Sequence, residues 1–310
     1  MSPVATLRKT LRRVLLGSAG RPQILDLPLH SPQAQVAVWL HGLGEPLEVT
    51  GCHAVACVAP FLLCIGLGSA GRRVPVRSQR LLLRLSERAG DERLLGEIRL
   101  RWVRTIATSG VELCLFRAVA CTNFRLPMLR RWTRMFYSAH DRWKSRKTVA
   151  VKVSSLDVRC NEVVFICPRP TALVSLDREG IGNLFPMNLM GDVGEGYFVF
   201  ALNAARQAPM VAEFAQVAIV TVPFERAEEV RQLGKNHHRA SIEWDELPFE
   251  MRPSPVLKVP IPCFALMVRE LAVEGVHTLG SHSFFVGRIL HEQVYRAGPE
   301  FYRVHGVNLN

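Results

Sequence analysis

The chain has no Cys-x-x-Cys pair, no P-loop, no Gly-x-Ser-x-Gly elbow and no apolar run long enough to cross a bilayer. Each absence excludes something. A membrane-spanning helix needs roughly 18 or more apolar residues. The longest candidate, Ala54 to Gly68, is shorter and is interrupted by Cys57, Pro60 and Cys64, so it reads as a pair of buried strands. The N-terminus, MSPVATLRKTLRRVLLGSAG, lacks an uncharged core followed by a small-residue cleavage site, and no secretory signal is expected. Eight cysteines are scattered at 52, 57, 64, 114, 121, 160, 167 and 263, mostly inside apolar stretches. That usage suits buried thiols in a reducing cytoplasm better than a disulfide framework or a zinc site. His237-His238, with His277 and His282, have no carboxylate cluster beside them, and neighbours on a strand point apart, so no metal is expected.

Acidic residues are scarce in the first half. The whole chain carries 39 Lys and Arg against 27 Asp and Glu, a formal net charge of +12. Residues 1–150 hold 24 basic and 9 acidic side chains (24 − 9 = +15), whereas 151–310 hold 15 and 18 (15 − 18 = −3). So unequal a division predicts two regions with different tasks, and the basic one is suited to anionic partners. Aromatic interleaving, which a nucleic-acid surface favours, is confined to Arg130–Tyr137, so nucleic acid is not the expected partner. At 48% apolar and 21% charged residues, 310 residues fit a soluble globular protein of one large domain or two ordinary ones.

Residues 1–16 read as a short basic amphipathic helix or a leader. From Gln35 the pattern becomes that of strands: 36–40, a turn at His41-Gly42-Leu43-Gly44, then 47–49, 54–58 and, after Pro60, the continuous apolar run 61–67. Residues 79–102 alternate leucine with charge, which suits half-buried strands or a helix. Residues 125–148, with Trp132, Phe136 and Trp143 among many bases, predict a helix. A strand restart at Val149 to Val153 puts the boundary between a basic region, 1–150, and a second domain, 151–310, near 148–160. The second half runs Val163–Cys167, Ala172–Leu176, the turn Asp177–Gly180, Gly182–Met190 and Gly196–Leu202. Short strands with turn residues between them are the rhythm of an antiparallel barrel. Val36–Leu67 and Thr171–Asn203 share that rhythm, which raises a duplicated barrel.

Two stretches, in this order, carry a family likeness. Pro168 to Leu176, followed by Asn183-Leu184-Phe185-Pro186-Met187-Asn188-Leu189, resembles the opening of flavin reductase-like proteins. Gly280-Ser281-His282-Ser283-Phe284-Phe285-Val286-Gly287-Arg288-Ile289 resembles that family's Gly-Asp-His-Thr strand. The helix-like Ala227–Lys235 and Pro253-Ser254 lie between them, and the likeness spans about 165–290. It implies a mainly β, β-rich α+β fold: an FMN-binding split β-barrel, or a tandem pair if the first half is a degenerate copy. FMN or FAD is the implied cofactor and NAD(P)H the reductant. Such proteins are usually homodimers with flavin at or near the subunit interface, a pairing that a tandem chain would make internally.

The resemblance also assigns residues. Asn183, Phe185, Pro186, Met187, Asn188 and Leu189 would line the flavin ring; Asn203, Arg206, Lys235 and Asn236 would lie at the ribityl phosphate; His282 would stand beside the ring and the nicotinamide. The residue types suit this, since a flavin needs an apolar slot, backbone donors and cations for its phosphate. Pro186 lacks an amide donor and belongs at an edge or bulge, where a ligand can reach neighbouring backbone. A hydride carrier needs no proton donor in the transfer itself, so His282 is expected to position substrate or stabilise charge. Ser281 replaces the family's acidic residue, and Thr221 stands where many relatives carry Asn. The expected function is an FMN-dependent oxidoreductase that passes hydride from NAD(P)H to flavin and on to free flavin, oxygen or a partner oxygenase. A flavin-binding module without turnover, and an anion- or nucleic-acid-binding surface on the basic half, are the alternatives.

Overall fold

A computed structural model describes residues 24–30, 35–68, 79–88, 92–125, 153–205 and 207–305. The helices expected at 1–16 and 125–148 lie outside these residues, Arg125 excepted, as does Arg206.

Strands dominate the described residues. After β1 (Ile24–Leu29) come β2 (Val36–His41), β3 (Leu47–Glu48), β4 (His53–Val58), β5 (Phe61–Gly68), β6 (Leu81–Glu87), β7 (Leu94–Ala107) and β8 (Val111–Asn123). In β7, Ile98 and Leu100 are buried while Arg99 and Arg101 are exposed, the period of a sheet with one covered face. The leucine-and-charge stretch is therefore strand rather than helix. Gly66 to Gly71 has Gly-x-Gly-x-x-Gly spacing, but its first three residues end β5, which is antiparallel to both β4 and β8. That is not the parallel βαβ setting of a dinucleotide fold.

The strand restart expected at Val149 to Val153 lies outside the described residues, Val153 excepted. From Ser155 the chain forms α1 (Ser155–Val164). Ser154 Oγ accepts the Asp157 N–H, and the Asp157 carboxylate accepts the Ser154 N–H, a reciprocal cap. Asp157 Oδ1 also takes the Phe61 N–H at 2.7 Å, so the cap pins the helix to β5. The apolar run Val163–Cys167 is thus a helix end and the turn after it. It buries with Leu63, Leu83, Ile98 and Phe116 in the core of the first sheet. Capping and tertiary packing outweigh the β propensity of Val-Val-Phe-Ile.

The second set of strands is β9 (Arg169–Pro170), β10 (Ala172–Arg178), β11 (Ile181–Met187), β12 (Met190–Gly194) and β13 (Tyr197–Asn203). Beyond the short helix α2 (Ala208–Phe214) come β14 (Gln216–Thr221), α3 (Ala227–Gln232), β15 (Met251–Pro253) and β16 (Pro260–Pro262). The chain ends in β17 (Met267–Leu279), β18 (His282–Val294) and β19 (Glu300–His305).

The repeat is visible in the connectivity. One seven-stranded sheet has the order β3-β2-β6-β7-β8-β5-β4, the other β11-β10-β14-β17-β18-β13-β12. Numbered within each sheet in chain order, both read 2-1-5-6-7-4-3. Each curls around its own apolar core, giving a mainly β split-barrel fold in tandem. The two sheets then pack on each other through Ala54, Ala56, Cys64, Leu113 and Leu115 from the first and Val193, Val199, Ala201, Phe284 and Val286 from the second. Gly66 lets them close: a Cβ there would lie 2.1 Å from the Val193 carbonyl oxygen. A small third sheet, β1-β19-β9, ties the two ends of the described chain together.

The copies differ in one covering layer. Between β14 and β17 the chain makes α3, β15, β16 and short 3-10 turns, and their apolar residues (Val230, Leu233, Ile242, Ile261) cover Leu173, Ala218, Val220 and Val268 of the second sheet. The matching connection from β6 to β7 runs only from Glu87 to Leu94. Among the described residues no matching layer covers the outer face of the first sheet, where a cavity of about 780 Å³ is lined by Arg80, Leu82, Arg84, Glu97, Arg99 and Arg101 among others. No helix among the described residues is long and apolar enough to cross a membrane.

Candidate functional site

The two motifs that lie about a hundred residues apart in sequence meet on one sheet. Asn203 of β13 is in register with His282 of β18. Two residues along the same ladder, Ala201 pairs with Phe284, and the Ala201 amide donates to the Leu189 carbonyl at 2.8 Å. Leu189 sits at the corner where β11 hands over to β12. Asn203 and His282 thus stand on paired strands, and Leu189, at the end of the Asn183–Leu189 stretch, is tied to the Asn203 strand through Ala201, while β11 itself pairs with β10 at the other edge of the sheet.

His282 is buried, 8% exposed, and stands between the barrels. Its Nδ1 shares a hydrogen bond with Ser281 Oγ at 2.8 Å and lies 3.8 Å from Cys57 Sγ on β4. The Ser281 amide donates to the Ala59 carbonyl at 3.1 Å, and the Ala204 amide donates to the Ser281 carbonyl at 3.2 Å. The Asn203 turn, the His282 strand and the β4–β5 turn of the other barrel are therefore clamped together. Burial lowers the His282 pKa below its ordinary value, which favours the neutral ring. Of the two neighbouring phenylalanines, Phe285 stacks on Phe200 in the second barrel's core at 4.8 Å, whereas Phe284 belongs to the inter-barrel cluster.

The remaining residues on the flavin-facing list occupy two kinds of place. Asn183 is fully buried; its Nδ2 donates to the Asn236 and Arg239 carbonyls, and its Oδ1 accepts the Leu184 N–H. Asn236 Nδ2 returns a bond to the Leu184 carbonyl at 2.8 Å, while its Oδ1 is buried without a partner. Phe185 and Met187 face the second barrel's core. These four shape the wall. Pro186, Asn188 and Leu189 are half-buried, and Asn203 and Lys235 are exposed. The His237 ring meets the Pro186 carbonyl at 2.9 Å and packs 4.9 Å from the Phe185 ring.

Several residues were not singled out from sequence. Gln207 donates from Nε2 to the carbonyls of Asn236, His237 and Arg239, leaving its own buried Oε1 unpaired. Cys57 reaches His282 only because the chain folds back 225 positions. His53, Arg169 and Thr171 are buried with unpaired polar atoms. Arg169 and Thr171 stand inside the recognised motif, and the signal available was an arginine in an otherwise apolar run.

No protein-family model matches the chain. No curated protein matches it either. Solved structures of FMN-binding split β-barrel proteins and flavin reductases match about half of it. An FMN-binding protein from Thermus thermophilus is 23% identical over 41% of this chain and 72% of that one, with a TM-score of 0.37. A 2-nitrobenzoate 2-nitroreductase from Pseudomonas fluorescens is 21% identical over 47% and 87%, with a TM-score of 0.39. An NADH:FAD oxidoreductase from Streptomyces globisporus is 11% identical over 47% and 82%, with a TM-score of 0.41. What the chain is similar to is thus a set of flavin-handling split barrels, at low identity and over one of its two copies' worth of length.

Proposed function

We propose that the second barrel, 151–310, binds FMN against the β11–β12 corner, and that the chain is an NAD(P)H-dependent flavin oxidoreductase. The observation that carries the reading is the ladder that sets Asn203 opposite His282 beside the Leu189 corner. It ties the His282 motif to the end of the Asn183–Leu189 motif through the Ala201–Leu189 bond. The residues present suit a flavin. Pro186 and Leu189 offer an apolar edge with the Asn188 amide between them, and Lys235 offers an exposed cation for a phosphate, with Arg206 assigned by resemblance alone. The buried, unpaired oxygens Asn236 Oδ1 and Gln207 Oε1 are acceptors of the kind ribityl hydroxyls need. When bound, flavin supplies two-electron chemistry: it takes hydride from a nicotinamide and passes electrons onward.

The chain's own residues orient and shield. His282, held by Ser281, presents a neutral imidazole whose Nε2 is left to position a substrate or to meet negative charge on the ring. Phe284 and Cys57 exclude water from its other side. In this reading the first barrel takes the place of a second subunit. An absorbance scan of the purified chain mixed with FMN, before and after NADH, tests the proposal. Bound flavin that bleaches with NADH supports it. Bound flavin inert to NADH leaves a flavin-binding module without turnover, and failure to take up FMN ends the flavin reading.

The outer face of the first sheet favours a second activity beside this one. Arg80, Arg84, Arg99 and Arg101 line one cavity with a single carboxylate, Glu97, which pairs with Arg84. A polyanion would dock there with strong salt dependence. Loss of heparin binding on Arg99→Glu and Arg101→Glu, at salt where the wild-type chain binds, is the expected result.

A further inference from the structure

Among the described residues, three buried side chains, two just before β10 and one opening β4, keep polar atoms without partners: Arg169 Nε and Nη2, Thr171 Oγ1 and His53 Nε2. Both barrels contribute. Arg169 and Thr171 flank Pro170 on the segment that leads into β10, where Ala172 stands in register with Met187. His53 opens β4 of the first sheet. The β12 backbone at Gly191 runs so close to it that a Cβ there would lie 2.9 Å from the His53 carbonyl oxygen. The charge of Arg169 acts on the His53 ring. Thr171 thus precedes the residue in register with Met187, and the His53 backbone lies against Gly191, at the two ends of the corner from Met187 to Gly191.

A guanidinium cannot shed its proton to suit a buried site, so Arg169 brings a full positive charge into the interior. Leaving such a charge uncompensated is strongly destabilising. The carboxylate across β19 on β1, Asp26, is already engaged by Arg231 and Arg303. His53 adds a further constraint. Its Nδ1–H donates to the Val49 carbonyl at 2.7 Å, which leaves Nε2 as the bare acceptor of a neutral ring. The set is then two N–H donors on a cation, one hydroxyl and one acceptor. An ionised carboxylate satisfies the first three and offers nothing to His53. A phosphate monoanion carries both negative charge and an O–H, and its second pKa, about 6 in a phosphoester, is close enough to neutrality for a site with a single buried cation to hold it in that form.

We propose that Arg169, Thr171 and His53 form a buried phosphate-binding site between the two barrels. The phosphate is either a separate group or that of a bound nucleotide such as FMN, in which case this site replaces Lys235 and Arg206 as the place of the flavin phosphate. The site stands on its own observations and does not require the flavin reading.

Thermal unfolding of the full chain in inorganic phosphate and in chloride, at equal pH and ionic strength, tests it, because a ligand that binds only the folded state raises Tm with concentration. Phosphate should raise the wild-type Tm and leave Arg169→Met unmoved, while in chloride R169M should be at least as stable as wild type. FMN and riboflavin identify the source. Protection by FMN well beyond that by riboflavin, lost in R169M, assigns the flavin's own phosphate; equal protection by the two, alongside an effect of inorganic phosphate, assigns a separate one. Should R169M fail to fold, Thr171→Val removes one orphaned hydroxyl at nearly constant volume and should weaken the phosphate effect several-fold. A wild-type chain indifferent to both inorganic phosphate and the FMN phosphate overturns the site, even if flavin binds. A phosphate effect without flavin binding keeps the site and removes the flavin reading. Equal phosphate effects in wild type and the folded variants also overturn it.

Discussion

Cys57 Sγ and His282 Nδ1 lie 3.8 Å apart, one on the first barrel and one on the second. The proposed flavin site is therefore bounded by both copies of the fold, in an arrangement that two subunits would otherwise have to supply. Strand register shows that the copies are not equivalent there. β5 and β8 pair from Leu62↔Arg117 to Gly68↔Val111, and β13 and β18 pair over the same number of rungs from Tyr197↔Arg288 to Asn203↔His282. Val111 thus takes the place of His282, and Gly68 that of Asn203. We expect one flavin per chain. Flavin absorbance against protein concentration, with mass from light scattering, should give that ratio for a monomer; two flavins per chain, or flavin bound only by dimers, would contradict it.

Asp157 joins two levels of structure at once. Its carboxylate closes the cap of α1 and accepts the buried Phe61 N–H of β5. Losing a cap costs about 1 kcal/mol, and stranding a buried N–H costs about 1–3 kcal/mol. Asp157→Ala should then lower stability by about 2–4 kcal/mol in urea unfolding, with Asp157→Asn intermediate because one oxygen can still accept. A loss no larger than that of a surface substitution would mean that α1 is not anchored through this residue.

Much of this fold can be read from period and order. The alternation at Ile98-Arg99-Leu100-Arg101 marks half-buried strands, and the two motifs in sequence order mark the barrel that carries the candidate site. What could not be read lies in relations between distant segments. Val163–Cys167 is apolar enough for a strand, and only the Ser154–Asp157 cap together with Phe61 makes it the end of a helix. Asn183 and Asn236 look alike as ligand donors, yet the Asn183 amide donates to the Asn236 and Arg239 carbonyls and the Asn236 amide to the Leu184 carbonyl. The isolation of Arg169 depends on which carboxylates its neighbours have already engaged, and no local pattern encodes that.

Gly66 tests whether the sheets must close as tightly as they do. Any side chain there meets the backbone of β12 rather than a movable side chain, the Val193 oxygen standing 2.1 Å from an added Cβ. Overpacking of this kind typically costs about 1–3 kcal/mol, and more where backbone must shift. Gly66→Ala should therefore lower the unfolding midpoint clearly. Because the displaced strand leads to the Asn203–His282 ladder, it should also weaken flavin uptake. A variant as stable as wild type would show that the barrels can separate at this point without consequence.

His53 offers a test of the buried cationic site through pH alone. Burial, with the Arg169 charge adding to it, pushes its pKa from 6.5 down to about 3, against the opposing pull of the Val49 and Thr50 carbonyls. In the unfolded chain the same ring takes up its proton near the ordinary value. Between those limits the unfolded state binds more protons than the folded one, so stability falls as pH drops, by about 1.4 kcal/mol per pH unit for this residue. Above pH 6.5 its contribution is fully present; from there towards about 3 it is lost progressively. His53→Met removes the titrating ring at similar volume. Urea unfolding of wild type and H53M at pH 7, 6 and 5 should show the wild type losing stability relative to H53M as the medium becomes more acid, because only the wild type carries this term. Other carboxylates and histidines titrate identically in both chains and cancel in the difference. Parallel pH profiles would mean that the ring is solvated or already charged, which would remove the environment from which Arg169 draws its need for an anion.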